Sequence, residues 1–232
     1  MKSIWKKKRG KSRLILVCNG FAMDPRPLST LEIPENADLL ILGAYHDLGI
    51  SQEDEMAILA YPRIDVVAWS LGVWVFGQIG AQILQKPGTR VAINGTLRPL
   101  DAKLGIPPVI FALTRERFGP STRPDFYRRV CSDPQTEAQF LACEPERSIE
   151  DQARELAFLH EVLLAEKVPR PVEGLFHKAL LGSRDQIFPP LSQERFWKGQ
   201  VPLKVLDAGH FPFTLWSSWD EIFFDEGRVT AN

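Results

Sequence analysis

Hydrophobic residues fall along this chain in short, nearly continuous runs set between polar and turn-forming stretches. Leu14–Cys18, Asp38–Leu42, Ile64–Val67, Val91–Ile93, Phe176–Leu181 and Val201–Leu206 read as six strands. Runs this short and this unbroken suit parallel strands covered by helices on both faces. The clearest helix is Leu71–Leu84, where Gly77, Gly80 and Ala81 permit close approach to a sheet. Strands alternating with helical segments predict a doubly wound α/β sheet.

The middle of the chain breaks this alternation. From about Leu113 to Lys167 no run predicts a strand. Ser148 and Asp151 have the spacing of a capping box. The helix after them places Ala153, Leu156, Ala157, Leu163 and Leu164 on one stripe, with Glu150 and Arg154 as a favourable i,i+4 pair. The organisation expected is an α/β core from 1–112 and 168–232, interrupted by a helical cap over 113–167. Gly119-Pro120-Ser121 and Pro169-Arg170-Pro171 are the candidate hinges.

Composition narrows the classes. The 232 residues are 44% hydrophobic and 25% charged with a net charge of −1, so there is no basic face to argue for nucleic acid. Cys18, Cys131 and Cys143 form neither a Cys-x-x-Cys nor a Cys/His cluster, which argues against a zinc site and favours a reducing cytoplasm. Lys2, Lys6, Lys7, Lys8, Arg9, Lys11 and Arg13 make the N-terminus basic. The apolar run behind them is too short for a signal peptide, so a solvated, frayed end is expected. No stretch approaches the ~20 apolar residues of a membrane span.

Ala68-Trp69-Ser70-Leu71-Gly72 joins the third strand to the clear helix. Strand, small-x-Ser-x-Gly, helix is the layout of a nucleophile elbow, in which a sharp turn lifts the serine clear of the sheet. A serine hydroxyl needs a histidine to take its proton and a carboxylate to orient that histidine. In the α/β-hydrolase order serine precedes acid and acid precedes histidine. Of four histidines, His46 precedes Ser70, His160 lies in the apolar phase of the cap helix, and His177 lies inside a predicted strand. His210 follows the last strand in a loop, where this fold carries its base. Asp185 follows the fifth strand and a glycine turn, and is preferred as the acid over Asp101.

An oxyanion hole needs two amides aimed at the developing charge. Leu71, after the nucleophile, and Phe21, after the first strand and the turn Asn19-Gly20, are the candidates. Trp69, Trp74, Phe76, Phe111, Phe118, Phe126 and Phe140 are candidates to line an acyl pocket. The cap is crowded with arginine, including Arg115, Arg117, Arg128 and Arg129, interspersed with acidic residues.

Several segments together resemble one family. They are Ala68-Trp69-Ser70-Leu71-Gly72-Val73-Trp74, Ile93-Asn94-Gly95-Thr96, Gly105-Ile106-Pro107, Arg128-Arg129-Val130-Cys131, Asp185-Gln186-Ile187-Phe188-Pro189-Pro190 and Gly209-His210-Phe211-Pro212-Phe213. In this order, from about Arg13 to Phe224, they resemble the pimeloyl-acyl-carrier-protein methyl ester esterases of biotin synthesis, BioG type. Phe21 stands where many members carry tryptophan and Leu71 where methionine is common. The resemblance implies an α/β-hydrolase fold with a helical lid, and cleavage of the methyl ester on a pimeloyl chain carried by acyl-carrier protein, releasing methanol. It implies Ser70 as nucleophile, Asp185 as acid, His210 as base, and the Phe21 and Leu71 amides, beside Trp69, at the oxyanion. Acyl-carrier proteins are acidic, so Arg115, Arg117, Arg128 and Arg129 form the expected docking patch. A cytoplasmic monomer needing no metal or organic cofactor is expected. The competing readings are a broad esterase of free short-chain esters and a non-catalytic binder that kept the fold.

Overall fold

The apolar runs become strands whose alternate side chains feed two cores. In the computed structural model, which describes residues 1–166 and 173–224, β1 (Lys2–Lys7), β2 (Arg13–Cys18), β3 (Ala37–Gly43), β4 (Arg63–Trp69), β5 (Arg90–Ile93), β6 (Lys178–Gly182) and β7 (Leu203–Leu206) form one sheet. Its order is β1-β3-β2-β4-β5-β6-β7. All pairs are parallel except β1 against β3. Every residue of β2 and β3 is buried. Ile15 and Val17 enter one core cluster and Leu14 and Leu16 the other, as the two-residue period of a strand covered on both faces requires.

Helices α1 (Gln52–Leu59) and α2 (Leu71–Ile79) belong to the first half of the sheet. Four more lie between β5 and β6: α3 (Pro108–Arg117), α4 (Arg123–Cys131), α5 (Pro134–Ala142) and α6 (Ile149–Ala165). Helices α7 (Pro190–Trp197) and α8 (Trp219–Phe224) complete the described chain. Among the described residues no helix is long and apolar enough to cross a membrane.

Several sequence expectations need correction. The basic N-terminus is not frayed: β1 pairs along β3, the Asp38 carboxylate accepts the Arg9 and Lys11 amides at 2.8 and 2.9 Å, and Lys7 Nζ reaches the Pro34 carbonyl at 2.7 Å. With only Ile4 and Trp5 as large apolar residues, β1 carries little pattern, and backbone pairing decides it. Its lysines also suit an edge strand, where charge discourages pairing with another sheet. The sheet therefore has seven strands rather than six. Strand β6 starts at Lys178, leaving His177 outside it, where its Nδ1 accepts the Arg90 amide at 2.9 Å. The helix after Ser70 ends at Ile79 and tightens into a 3-10 turn over Gly80–Gln85.

The helices between β5 and β6 also differ in detail. Ser148 Oγ accepts the Asp151 amide, as its spacing predicts. The inner face of α6, however, is Gln152, Glu155, Leu156, Leu159 and Leu163, while Ala157 and Leu164 are exposed. An apolar-only reading rotates the helix, because two inward residues are polar and find partners on a distant loop. Arg154 reaches Asp151 at 3.6 Å. Gly119-Pro120-Ser121 lies in the turn between α3 and α4. Pro169-Arg170-Pro171 lies outside the described residues.

Candidate active site

Strand β4 delivers Ser70 to the sheet's carboxyl edge in a conformation few residues adopt, φ 58° and ψ −128°. Such a backbone costs about 1–3 kcal/mol and survives only where its surroundings over-determine it. Here they do. The Ser70 amide donates to Ile93 O at 2.9 Å, and Ser70 O accepts the Val73 amide at 3.1 Å. The glycine at 72 is required by space, since a Cβ there would run into the Cys18 carbonyl oxygen. Gly72→Ala is therefore expected to destabilise the fold by about 3 kcal/mol or more, the upper end for overpacking. Urea denaturation followed by tryptophan fluorescence measures it.

Two loops bring the partners. Asp185 follows β6 and His210 follows β7. His210 Nε2 lies 2.8 Å from Ser70 Oγ, and His210 Nδ1 lies 2.7 Å from Asp185 Oδ2. All three are buried. Asp185 Oδ1 accepts the Ile187 and Phe188 amides, both at 2.8 Å, and Oδ2 also accepts Gln193 Nε2 at 3.0 Å. With the carboxylate receiving the Nδ1 proton, the Nε2 lone pair faces the serine hydroxyl. The arrangement is suited to taking a proton from Ser70.

The loops are braced by Trp69 and by residues that sequence reasoning missed. Asn94 closes β5 at φ 47°, a conformation asparagine tolerates better than most residues. Its Nδ2 donates to the Gly209 and His210 carbonyls at 3.0 and 2.9 Å, and its Oδ1 accepts the Gly182 amide. One amide side chain thus joins the end of β6, which leads to Asp185, with the loop bearing His210. Trp69 Nε1 adds a 2.8 Å bond to the His210 carbonyl. The Phe211 amide donates to Val130 O at 2.9 Å, tying the histidine loop to α4. Asn94 lies in a segment quoted above only for resemblance; nothing in the sequence marked Gln193.

The Phe21 and Leu71 amides are both on buried residues, and among the described residues neither has a protein acceptor. Buried backbone N–H groups are nearly always paired, so two free ones beside Ser70 invite an external oxygen. Phe21 and Leu71 also line an apolar cavity together with Trp69, Ser70, Ile106, Phe111, Phe126, Arg129 and His210. Of the aromatic candidates, Trp69, Phe111 and Phe126 reach this cavity. Phe118 lines the neighbouring cleft, and Trp74, Phe76 and Phe140 pack elsewhere. That cleft lies between α3 and α4 and shares Ile110, Thr114, Phe126 and Arg129 with the cavity.

The remaining candidates are dispersed. Among the described residues Arg129 is the one formally charged residue on the cavity wall, Arg117 lines the cleft, and Arg115 is exposed on α3. Arg128 is drawn away, pairing with Asp125 at 2.6 Å and Glu137 at 3.8 Å. Asp101 caps the Lys103 and Leu104 amides and pairs with Arg98. His46 bonds Asp151, and His160 stacks on Phe111. Among the described residues no group of three or more His, Cys, Asp or Glu is placed to hold a metal ion.

Comparison with known proteins places this geometry in a family. A family model described as pimeloyl-ACP methyl esterase BioG matches residues 1–222. The crystal structure of BioG from Haemophilus influenzae superposes with a TM-score of 0.86 at 30% identity, covering 96% of this chain and 100% of that one. Malonyl-[acyl-carrier protein] O-methyltransferase of Bacteroides fragilis is 34% identical over 202 residues, which are 87% of this chain but only 40% of that protein. The enol-lactonase of Burkholderia xenovorans shares the fold, with a TM-score of 0.56 at 15% identity over 90% of this chain and 88% of its own. This chain, a carboxylic ester hydrolase of α/β-hydrolase fold, belongs to the pimeloyl-ACP methyl esterase BioG family.

Proposed function

We propose that Ser70, His210 and Asp185 hydrolyse the methyl ester at the far end of a pimeloyl chain held by acyl-carrier protein. The observation that carries this reading is the unbroken hydrogen-bonded chain from Ser70 through His210 to Asp185 beside an apolar cavity. His210 Nε2 takes the hydroxyl proton as Ser70 Oγ attacks the ester carbonyl. The tetrahedral oxyanion accepts the Phe21 and Leu71 amides, the latter at the positive end of α2. Collapse expels methanol, which leaves with the proton from His210. Water, deprotonated by the same imidazole, then attacks the acyl-serine and releases the free carboxylate with Ser70 restored. Every step is a proton transfer or an acyl transfer, so these residues supply it without a metal or organic cofactor.

The pimeloyl methylenes suit the apolar wall at about 0.8 kcal/mol for each one buried. Selectivity for the distal ester over the thioester is positional: the carrier stays outside while the chain reaches Ser70. In this reading α3 to α6 act as the lid, which starts at Pro108 rather than at the expected 113. The mouth is the cleft between α3 and α4, with Arg129 and Arg117 facing the anionic partner, and a cytoplasmic monomer is the working state.

Purified protein incubated with methyl pimeloyl-carrier should release pimeloyl-carrier and methanol, with kcat/KM above that for free short methyl esters. Equal turnover of the free esters would favour a broad esterase. Arg129→Glu should raise KM for the carrier-bound ester about tenfold, the size of one lost charge contact, and flatten its salt dependence. Arg128→Glu, at a guanidinium already paired, should change KM less than about threefold. Steady-state kinetics at two salt concentrations separate the two.

A further inference from the structure

The loop after β2 must present the Phe21 amide unpaired, so no hydrogen bond of its own can aim it. The aim has to come from the peptides on either side. Upstream, the Gly20 amide donates to Asn19 Oδ1 at 3.0 Å. Downstream, Ala22 adopts φ 68°, unfavourable for alanine, and is gripped at both backbone groups from α6. Its amide donates to Glu155 Oε2 at 3.0 Å, and its carbonyl accepts Gln152 Nε2 at 2.8 Å.

Glu155 is a fully buried carboxylate that receives three donors from three parts of the chain. Oε2 accepts Arg147 Nη1 at 2.6 Å besides the Ala22 amide, and Oε1 accepts the Tyr45 amide at 3.1 Å. Tyr45 in turn donates its hydroxyl to Asn19 O at 2.8 Å, and Arg147 donates to Met23 O at 3.3 Å. The bonds converge on residues 19–23, the segment containing Phe21. A carboxylate without water pays heavily for burial, and this one is retained where its oxygens serve that segment.

We propose that Glu155 is a positioning residue for ester hydrolysis: by holding the Ala22 amide from the lid helix α6, it orients the preceding Phe21 amide toward the oxyanion. The proposal rests on the reading of Phe21 and Leu71 as oxyanion donors. It adds that the hole is completed from the lid and not from the sheet alone. Glu155 touches no reacting atom, so its effect passes through the loop. Lifting α6 would strip the carboxylate of its Ala22 and Tyr45 amide donors, so this helix stays seated while substrate enters between α3 and α4.

The test is Glu155→Gln, which keeps the size but offers one acceptor oxygen and one amide group to three donors. On the methyl ester, kcat should fall about 10- to 100-fold, less than complete loss of an oxyanion donor, with KM within about threefold. Affinity for a trifluoromethyl ketone that forms a tetrahedral adduct with Ser70 should fall in parallel, while affinity for the carboxylate product stays within about twofold. Asp151→Asn is the stability control. It removes another carboxylate from Arg147 without touching the loop, and should lower Tm while leaving kcat within about twofold. If Glu155→Gln does not fold, Gln152→Met should show the same kcat-selective loss at smaller size. The proposal is overturned if the folded variant, or Gln152→Met in its place, loses only Tm, or loses product affinity as much as adduct affinity. Ser70→Ala in the same assay keeps the readings apart: activity surviving there removes the nucleophile assignment, whatever Glu155 does.

Discussion

Replacing Ser70 by alanine is expected to lower kcat on the methyl ester about 10⁶-fold, and adding His210→Ala to that variant should cost almost nothing more. The two act as one unit, because the imidazole has no proton to take once the hydroxyl is gone. Nε2 and Oγ are 2.8 Å apart and both buried, so no neighbouring group substitutes for either. The residue of catalysis should come from the cavity and the two free amides, which remain. A fluorophosphonate probe should label wild type at Ser70, label Ser70→Ala not at all, and label His210→Ala slowly. Additive losses in the double variant would mean that serine and histidine work separately.

Asp185→Asn should lower kcat about 10⁴-fold with the fold intact, and the hydrogen bonds say why. Oδ1 accepts two backbone amides, from Ile187 and Phe188. Those donors compel the asparagine oxygen into that position and turn its NH₂ toward His210. Nδ1 must then accept, which moves the imidazole proton to Nε2, facing Ser70. The base is present but in the wrong tautomer, a change with about this cost in serine proteases. The loss should appear in kcat, with far-UV circular dichroism unchanged. A loss below tenfold would make Asp185 a turn residue only.

Much of the candidate site was legible because it is carried by local pattern. The elbow is a five-residue motif between a strand and a helix, and chain order with four histidines singles out His210. The structure brings Ser70, His210 and Asp185 within hydrogen-bond reach of one another, and leaves Asp101 with Arg98. The supporting residues had no such signature. Asn94 acts on carbonyls 115 and 116 residues away, and Glu155 on an amide 133 residues away. A polar residue facing inward on a helix looks like an interruption of the apolar stripe until its distant partner is known, and so the face of α6 was misjudged. Strand β1 was missed for a related reason: its stability comes from pairing with β3, and its own side chains say little.

The sequence by itself determined the alternation of buried strands and helices, the sharp turn that carries Ser70 from strand to helix, and the chain order Ser70, Asp185, His210. Each follows from forces acting over a few residues: apolar periodicity, the steric allowance of small side chains, and the positions of loops after strands. Tertiary structure alone decided which arginine faces the cavity, which carboxylate and amides hold the loops, and that helix α6 reaches the segment 19–23. Buried polar groups must be paired with whatever the fold brings near, and that partner is set by the meeting of distant segments rather than by spacing along the chain.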